Sequence, residues 1–229
     1  MIHESLDAGL SNFVWQSLTG AHRHLALGER RARRYHPDIS PFAALQDGSV
    51  ESFKDLAALV PVGDLVLLRD EMVGLGRGWV LESQTPALQM ILPASASAAL
   101  VDTCRILTME DVPAMLDLTQ LVLPGFFRKR SLEMGSFFGF FDGDRLVAMT
   151  GERVFPTPYR EITAVCTHPA FQGRGLATQL VSHVSARMRM AGFIPFLHTG
   201  VNNTSAIAVY HRLGFLDNGV VPLNGIRRV

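Results

Sequence analysis

Residues Val165–Ala177 read VCTHPAFQGRGLA, an apolar strand that runs through two closely spaced glycines into an amphipathic helix. This stretch constrains the fold more than any other, because it sets a helix start at the end of a sheet strand. The first N–H groups of a helix have no intrahelical partners and carry a partial positive charge, so such a start holds anions without a lysine. Gly173 and Gly175 bracket Arg174, which places small residues where phosphate oxygens come close and a forked guanidinium beside them. The spacing predicts a nucleotide pyrophosphate lying across Gln172, Gly173, Arg174, Gly175, Leu176 and Ala177.

Two familiar phosphate motifs fit this segment badly. The loop of nucleotide triphosphatases requires Lys-Ser or Lys-Thr after its glycines, and neither follows here. The dinucleotide fingerprint requires a third small residue where Thr178 stands, and an acid about 20 residues later that is missing. An earlier look-alike, Gly74-Leu75-Gly76-Arg77-Gly78, reads as a turn between strands.

Gln172, Gly175 and Ala177 fill the pattern [QR]-x-x-G-x-[GA]. Around them, Glu161–Thr167 reads as a strand ending at His168-Pro169, and Pro195–Thr199 as another. Asn203–Phe215 then reads NTSAIAVYHRLGF, matching N-x-x-A-x-x-x-Y-x-x-L-G-F, in which Ala206 and Tyr210 fill the alanine and tyrosine positions. In these stretches, their order and their separations, residues 104 to 220 resemble the GNAT superfamily of acyl-CoA-dependent N-acetyltransferases. Within it, GERV and AVCTHP are similar to the glycine N-acyltransferase-like branch. The resemblance implies an α/β (α+β) GNAT fold, a mixed and mostly antiparallel sheet flanked by helices. It also implies acetyl-CoA as cosubstrate, no metal, and transfer of the acetyl group to a primary amine by direct attack in a ternary complex. A non-catalytic acyl-CoA sensor or scaffold is the alternative that shares the same cradle.

Bulk properties add constraints. The 229 residues hold 21 lysines and arginines against 21 aspartates and glutamates, so the chain carries no general electrostatic footprint for nucleic acid. Asp, Arg, Gly and Pro interrupt every apolar run before membrane-spanning length, and the first residues lack the pattern of a secretory signal. Only Cys104 and Cys166 are present, far apart, as suits reduced thiols in a cytoplasmic protein. None of the eight histidines has zinc-site spacing. Homodimer formation is compatible with the sequence and is not specified by it.

Texture changes near residue 93. Pro93–Ala99 is small and polar, as in a linker, and a linker over 94–103 divides the chain into an N-terminal α/β domain over 1–93 and a catalytic domain over 104–229. In the latter, Cys104–Leu107 reads as a strand, Thr108 and Asp111 as a capping pair for a helix through Met115, Leu118 and Val122, and Asp142-Gly143-Asp144 as a hairpin between Phe137–Phe141 and Leu146–Phe155. From Gly175, Leu176, Leu180, Val184 and Met188 recur every four residues, which predicts one buried stripe with Gln179, His183 and Arg187 exposed, and Gly192 as the stop. The N-terminal part predicts helices over 10–18 and 53–59 and short strands over 65–68, 78–81 and 87–92, a smaller domain read as a degenerate GNAT-like copy. The arginines at 30, 31, 33 and 34 read as a solvated face or an interdomain contact.

Acyl transfer to an amine requires a base, because an amine with a pKa of about 10.4 is almost wholly protonated at neutral pH. Glu161 lies eleven residues before Gln172, the offset at which histone-modifying GNAT members place their base; the competing reading is an exposed acid at a strand start. Glu152 is the rival base, with an edge position paired to Arg153 or Arg160 as its structural alternative. By the same resemblance, Tyr210 protonates the departing CoA thiolate, Asn203 bonds the pantetheine arm or simply caps a helix, and the main chain at Val165 and Thr167 meets the thioester side through a bulge and splay of the fourth strand. Phe126 and Phe127 occupy the connection that shapes the acceptor pocket. His198 on the fifth strand lines the pocket or packs in the core. Small amine, amino acid and peptide N-terminus all remain open as acceptor.

Overall fold

A computed structural model describes residues 8–69 and 74–229. The N-terminal elements are α1 (Phe13–Thr19), a small antiparallel meander of β1 (Ala26–Leu27), β2 (Ala32–Tyr35) and β3 (Ala43–Leu45), then α2 (Val50–Leu59), β4 (Leu65–Leu68) and β5 (Trp79–Ile91). There follow β6 (Arg105–Ile106), α3 (Val112–Val122), β7 (Phe137–Asp142), β8 (Arg145–Glu152), β9 (Tyr159–Thr167), α4 (Leu176–Met190), β10 (Ile194–Gly200), α5 (Thr204–Arg212) and β11 (Leu216–Arg228). No helix among the described residues is long and apolar enough to cross a membrane.

Eight strands form one sheet in the order β4-β11-β5-β10-β9-β8-β7-β6, antiparallel except where β9 and β10 pair in parallel. The expected mostly antiparallel sheet flanked by helices is present. The sheet runs across residue 93, because β5 lies between β10 and β11. The two short strands expected over 78–81 and 87–92 are the ends of this one long strand. Its polar middle, Glu82-Ser83-Gln84-Thr85, hides the continuity from a hydrophobic pattern, yet Ser83, Gln84 and Thr85 pair with Gly225, Asn224 and Leu223 of β11, and the register shifts by one residue at Glu82.

Local signals act as their chemistry requires. Thr108 and Asp111 form a reciprocal capping box ahead of α3, and Pro113 sits in the helix's first turn, where its missing N–H costs nothing. Gly143 takes φ 57° in the β7–β8 turn. On α4, Leu180, Val184 and Met188 are almost wholly buried, each contributing about 1.5–3 kcal/mol. His183, expected on the exposed face, is buried instead. The segment expected as a linker is strapped along α4: Val101 N–H donates to His183 Nδ1 at 3.0 Å, Ala99 N–H to Ser182 Oγ at 2.9 Å, and Arg189 donates to the carbonyls of Pro93 and Ala96. Small residues there permit close docking as readily as flexibility.

The two faces of the sheet have different covers. Leu180, Val181 and Val184 of α4 pack with Val147, Ile162 and Leu197 on one. On the other, Met115 and Leu118 of α3 pack against Met149, Ala164 and Cys166, while Phe13, Tyr35 and Phe42 from the N-terminal elements pack around Tyr159 and Phe196. The N-terminal segment therefore roofs the half of this face that α3 leaves uncovered.

Candidate active site

The site begins where β9 leaves β10. Their parallel pairing runs only from Tyr159↔Ile194 to Ile162↔Leu197, although both strands continue. The cause lies in β9 itself. From Met149↔Cys166 to Gly151↔Thr163, three steps along β9 oppose two along β8, a bulge in which Ala164 takes φ 49° and Thr150 Oγ1 donates to the Thr163 carbonyl at 2.8 Å. A non-glycine residue in the left-handed region costs about 1 kcal/mol or more, and the bulge bends the strand away from its neighbour.

A cavity of about 330 Å³ opens at this splay, lined by residues from both sides of position 93. Among the residues expected at the site, Glu152, Val165, Asn203, Tyr210, Phe126, Phe127 and His198 all line it. Thr167, Ala206 and the stretch from Gln172 to Ala177 lie outside this lining. Thr167 pairs with Ala148, and its Oγ1 is buried without a hydrogen-bond partner. Gln172, Gly173, Arg174 and Gly175 are exposed at the start of α4, just beyond the splayed end of β9; Leu176 and Ala177 are half-buried. Gly173 and Gly175 have φ 75° and 76°, values an L side chain resists, and they turn the chain so that the first amides of a fifteen-residue helix face outward. Arg174 lies over the Phe171 ring at 4.6 Å, with its guanidinium near the turn.

Tyr210 is 5% exposed, and burial together with Cys166 raises its phenol pKa above the ordinary value, so it stays protonated at neutral pH. Asn203 caps α5, its Oδ1 accepting from Ala206 N–H at 3.2 Å, which leaves the amide NH2 as a donor. The cap and ligand readings are thus compatible. Ala206 packs against the core beside Tyr210. Phe127 stacks edge-on to Phe137 at 5.5 Å while also facing the cavity, so packing and pocket readings coincide there as well. Burial pushes the Cys166 thiol up to about 12, which leaves it protonated and unsuited to nucleophilic attack.

The two glutamates are held differently. Glu161 has no exposed surface and does not line the cavity. Arg153 grips both its oxygens, at 2.7 and 2.5 Å, and His198 Nδ1 lies 2.7 Å from Oε1. Burial alone would raise its pKa, but Arg153 and His198 override this and hold the carboxyl far below the usual range. Glu152 lines the cavity, accepts from Ser136 N–H at 3.1 Å, and meets Arg160 at 3.4 Å. That looser pairing with Arg160 is the structural alternative anticipated for it.

His198 belongs to the buried network around Glu161. Asn218 Nδ2 donates to Gln89 Oε1 at 2.6 Å, which fixes the Gln89 amide so that its Nε2 donates to His198 Nε2 at 3.0 Å. His198 must then carry its proton on Nδ1 and donate to Glu161. Burial first, then Arg69, pulls its pKa down to about 4. Burial and then His24 bring His22 to about 4 as well. Both histidines stay neutral in the folded chain while the unfolded chain takes protons below about pH 6.5, so their contribution to stability is present above about 6.5 and is lost as pH falls toward 4. Chemical denaturation between pH 7.5 and 4.5 should show a fall on the order of 1–3 kcal/mol per histidine. A flat profile would contradict these burials.

The sequence reading had no signal for Gln89 and Asn218, because ordinary polar residues acquire a role only through strand pairing. Arg69 was also missed, although a lone cation ending the apolar run Leu65–Leu68 was there to be read.

Bulge, splay and capped helix are features of the fold itself, and the comparisons identify that fold. The FR47-like protein family matches residues 137–219. A GNAT-family acetyltransferase structure from Novosphingobium aromaticivorans, itself assigned by similarity, is 32% identical, with 97% of this chain and 100% of that one covered and a TM-score of 0.89. GCN5-related N-acetyltransferase folds from Kribbella flavida (14% identity, 95% and 96% covered, TM-score 0.62) and Streptococcus suis (12%, 96% and 94%, TM-score 0.59) share the architecture. No match was found among curated proteins. The chain belongs to the GNAT family, whose acetyltransferases use acetyl-CoA or another acyl-CoA.

Proposed function

We propose that this protein is an N-acetyltransferase that moves an acetyl group from acetyl-CoA to a primary amine by direct attack within a ternary complex. The observation that supports this most is one cavity, at the β9 bulge, that collects Glu152, Tyr210 and Val165. The cradle fits the cosubstrate. Exposed residues at the start of α4, two glycines in the left-handed region and Arg174 suit a diphosphate, and Asn203, which lines the cavity, offers its amide NH2 to the arm.

Acetyl-CoA supplies the thioester carbon, whose bond to sulfur breaks as the bond to nitrogen forms. Glu152 accepts the proton that the amine must lose, directly or through one water, since it alone of the two candidate glutamates faces the cavity. Val165 offers its backbone N–H to the carbonyl oxygen as charge develops there. Tyr210 gives its proton to the leaving thiolate. Glu161 takes a different part from the one the eleven-residue offset suggests: it holds Arg153 and His198 in the wall.

Tyr210→Phe tests the acid. The phenyl ring preserves the packing, so kcat should fall about 10- to 100-fold with little change in the KM for acetyl-CoA, measured by thiol release against a panel of amines. Unchanged kcat would leave the ring purely structural. Binding of CoA with no thiol release across the whole panel would favour the non-catalytic sensor.

A further inference from the structure

Arg69 directly follows β4 and lines the cavity. It is 8% exposed, yet its Nε and Nη1 have no hydrogen-bond partner, and no ion pair joins it to any described acid. Its guanidinium lies over the Phe42 ring at 5.9 Å, and Glu161, which attracts it without forming an ion pair, is already held by Arg153 and His198. Other buried charges around the cavity are matched: Arg153 with Glu161, and Arg160 with Glu152. Arg69 is the cation left over. Burial, reinforced by repulsion from Arg153, pulls even this guanidinium down to about 9.

An unpaired buried guanidinium is costly, and truncating it to an apolar side chain would ordinarily relieve the fold. Such a group is best explained by a partner that arrives from outside. The partner must be an anion small enough for a closed wall, and planar and two-pronged to match the guanidinium fork. It must also lie within the space that serves the amine, since Arg69 and Glu152 line the same cavity.

We infer that Arg69 binds the carboxylate of the acceptor, which makes the acceptor a free amino acid whose amine is thereby aimed at Glu152. This deepens the acetyltransferase reading and rests on it for the chemistry, though the binding site itself does not. The geometry divides the work: Arg69 selects and orients, Glu152 deprotonates. A peptide N-terminus lacks a carboxylate close to its amine, so it leaves Arg69 unpaired and is disfavoured. Simple amines fail in the same way.

Two measurements test this. In the first, thiol release from acetyl-CoA is followed with alanine, phenylalanine and glutamate, each beside its α-carboxamide. The acids should exceed the matched carboxamides by about 100-fold in kcat/KM, and Arg69→Met should collapse that ratio toward one. In the second, thermal stability is followed with and without the same amino acids, in the presence of CoA. Wild type should be stabilised by acids and not by carboxamides, and Arg69→Met should lose this response while its own ligand-free Tm is equal or higher. A structural arginine would give the opposite sign, a lower Tm. Turnover with equal rates on acids and carboxamides overturns the carboxylate site and leaves the acetyltransferase standing. Absent turnover with Arg69-dependent stabilisation by amino acids supports the site and overturns the transferase. Neither turnover nor stabilisation overturns both.

Discussion

Replacing Glu152 by Gln should lower kcat about 10²- to 10⁴-fold while leaving the KM for acetyl-CoA close to its original value. The amide keeps the shape of the carboxyl and can still accept from Ser136 N–H, so the β7–β8 corner is preserved. What it cannot do is take a proton. In the proposed function cosubstrate binding rests on the cradle before α4 and on Asn203, which this substitution does not touch. Steady-state kinetics with a saturating amine separate the outcomes, and near-normal kcat would remove Glu152 from the base role. Activity that recovers as pH rises, when more of the amine is already neutral, is the expected signature of a lost base.

Replacing Glu161 by Ala should act on the fold. It leaves half-buried Arg153 against the Phe42 ring, facing a gap where two charge-assisted hydrogen bonds had been, and leaves His198 Nδ1–H without an acceptor. Breaking one side of a buried pair costs about 3–5 kcal/mol, which in a chain of this size lowers Tm by roughly 6–20 °C. Scanning calorimetry reads this directly. The sign of its pH dependence follows from the depressed pKa. Stability from Glu161 is fully present above the unfolded value of about 4.3 and is lost only as pH falls through the much lower folded value. The wild-type to Ala difference should therefore be constant from pH 5 to 8. An unchanged Tm with a collapsed kcat would return the base role to Glu161.

The fates of these two acids show where sequence reasoning stops. An offset of eleven residues from Gln172 locates Glu161 along its strand, but says nothing of what lies over that strand. Phe13, Tyr35 and Phe42 come from a segment whose alternation is too irregular to read, and they close the face on which Glu161 would otherwise be reached. Likewise the polar centre of β5 hid a strand that joins both halves of the chain, because its stabilisation comes from pairing with β11 rather than from an apolar face. His183 was placed on the wrong side for a similar reason: helical periodicity registers the sheet and cannot register a strap of small residues laid along the helix.

Local rules were sufficient wherever the cause was local. Gly173 and Gly175 require left-handed backbone, Thr108 and Asp111 close a capping box, Asn203 caps α5, and Leu180, Val184 and Met188 fall on one stripe, all from interactions within a few residues. From these the amino-acid order by itself determined the cradle, the helix that follows it and the family. The tertiary structure alone decided which glutamate faces the cavity, which histidine nitrogen carries a proton, and that Arg69 has no partner among the described residues. Those outcomes depend on distances between residues far apart in the chain, where burial strengthens a matched charge and penalises an unmatched one.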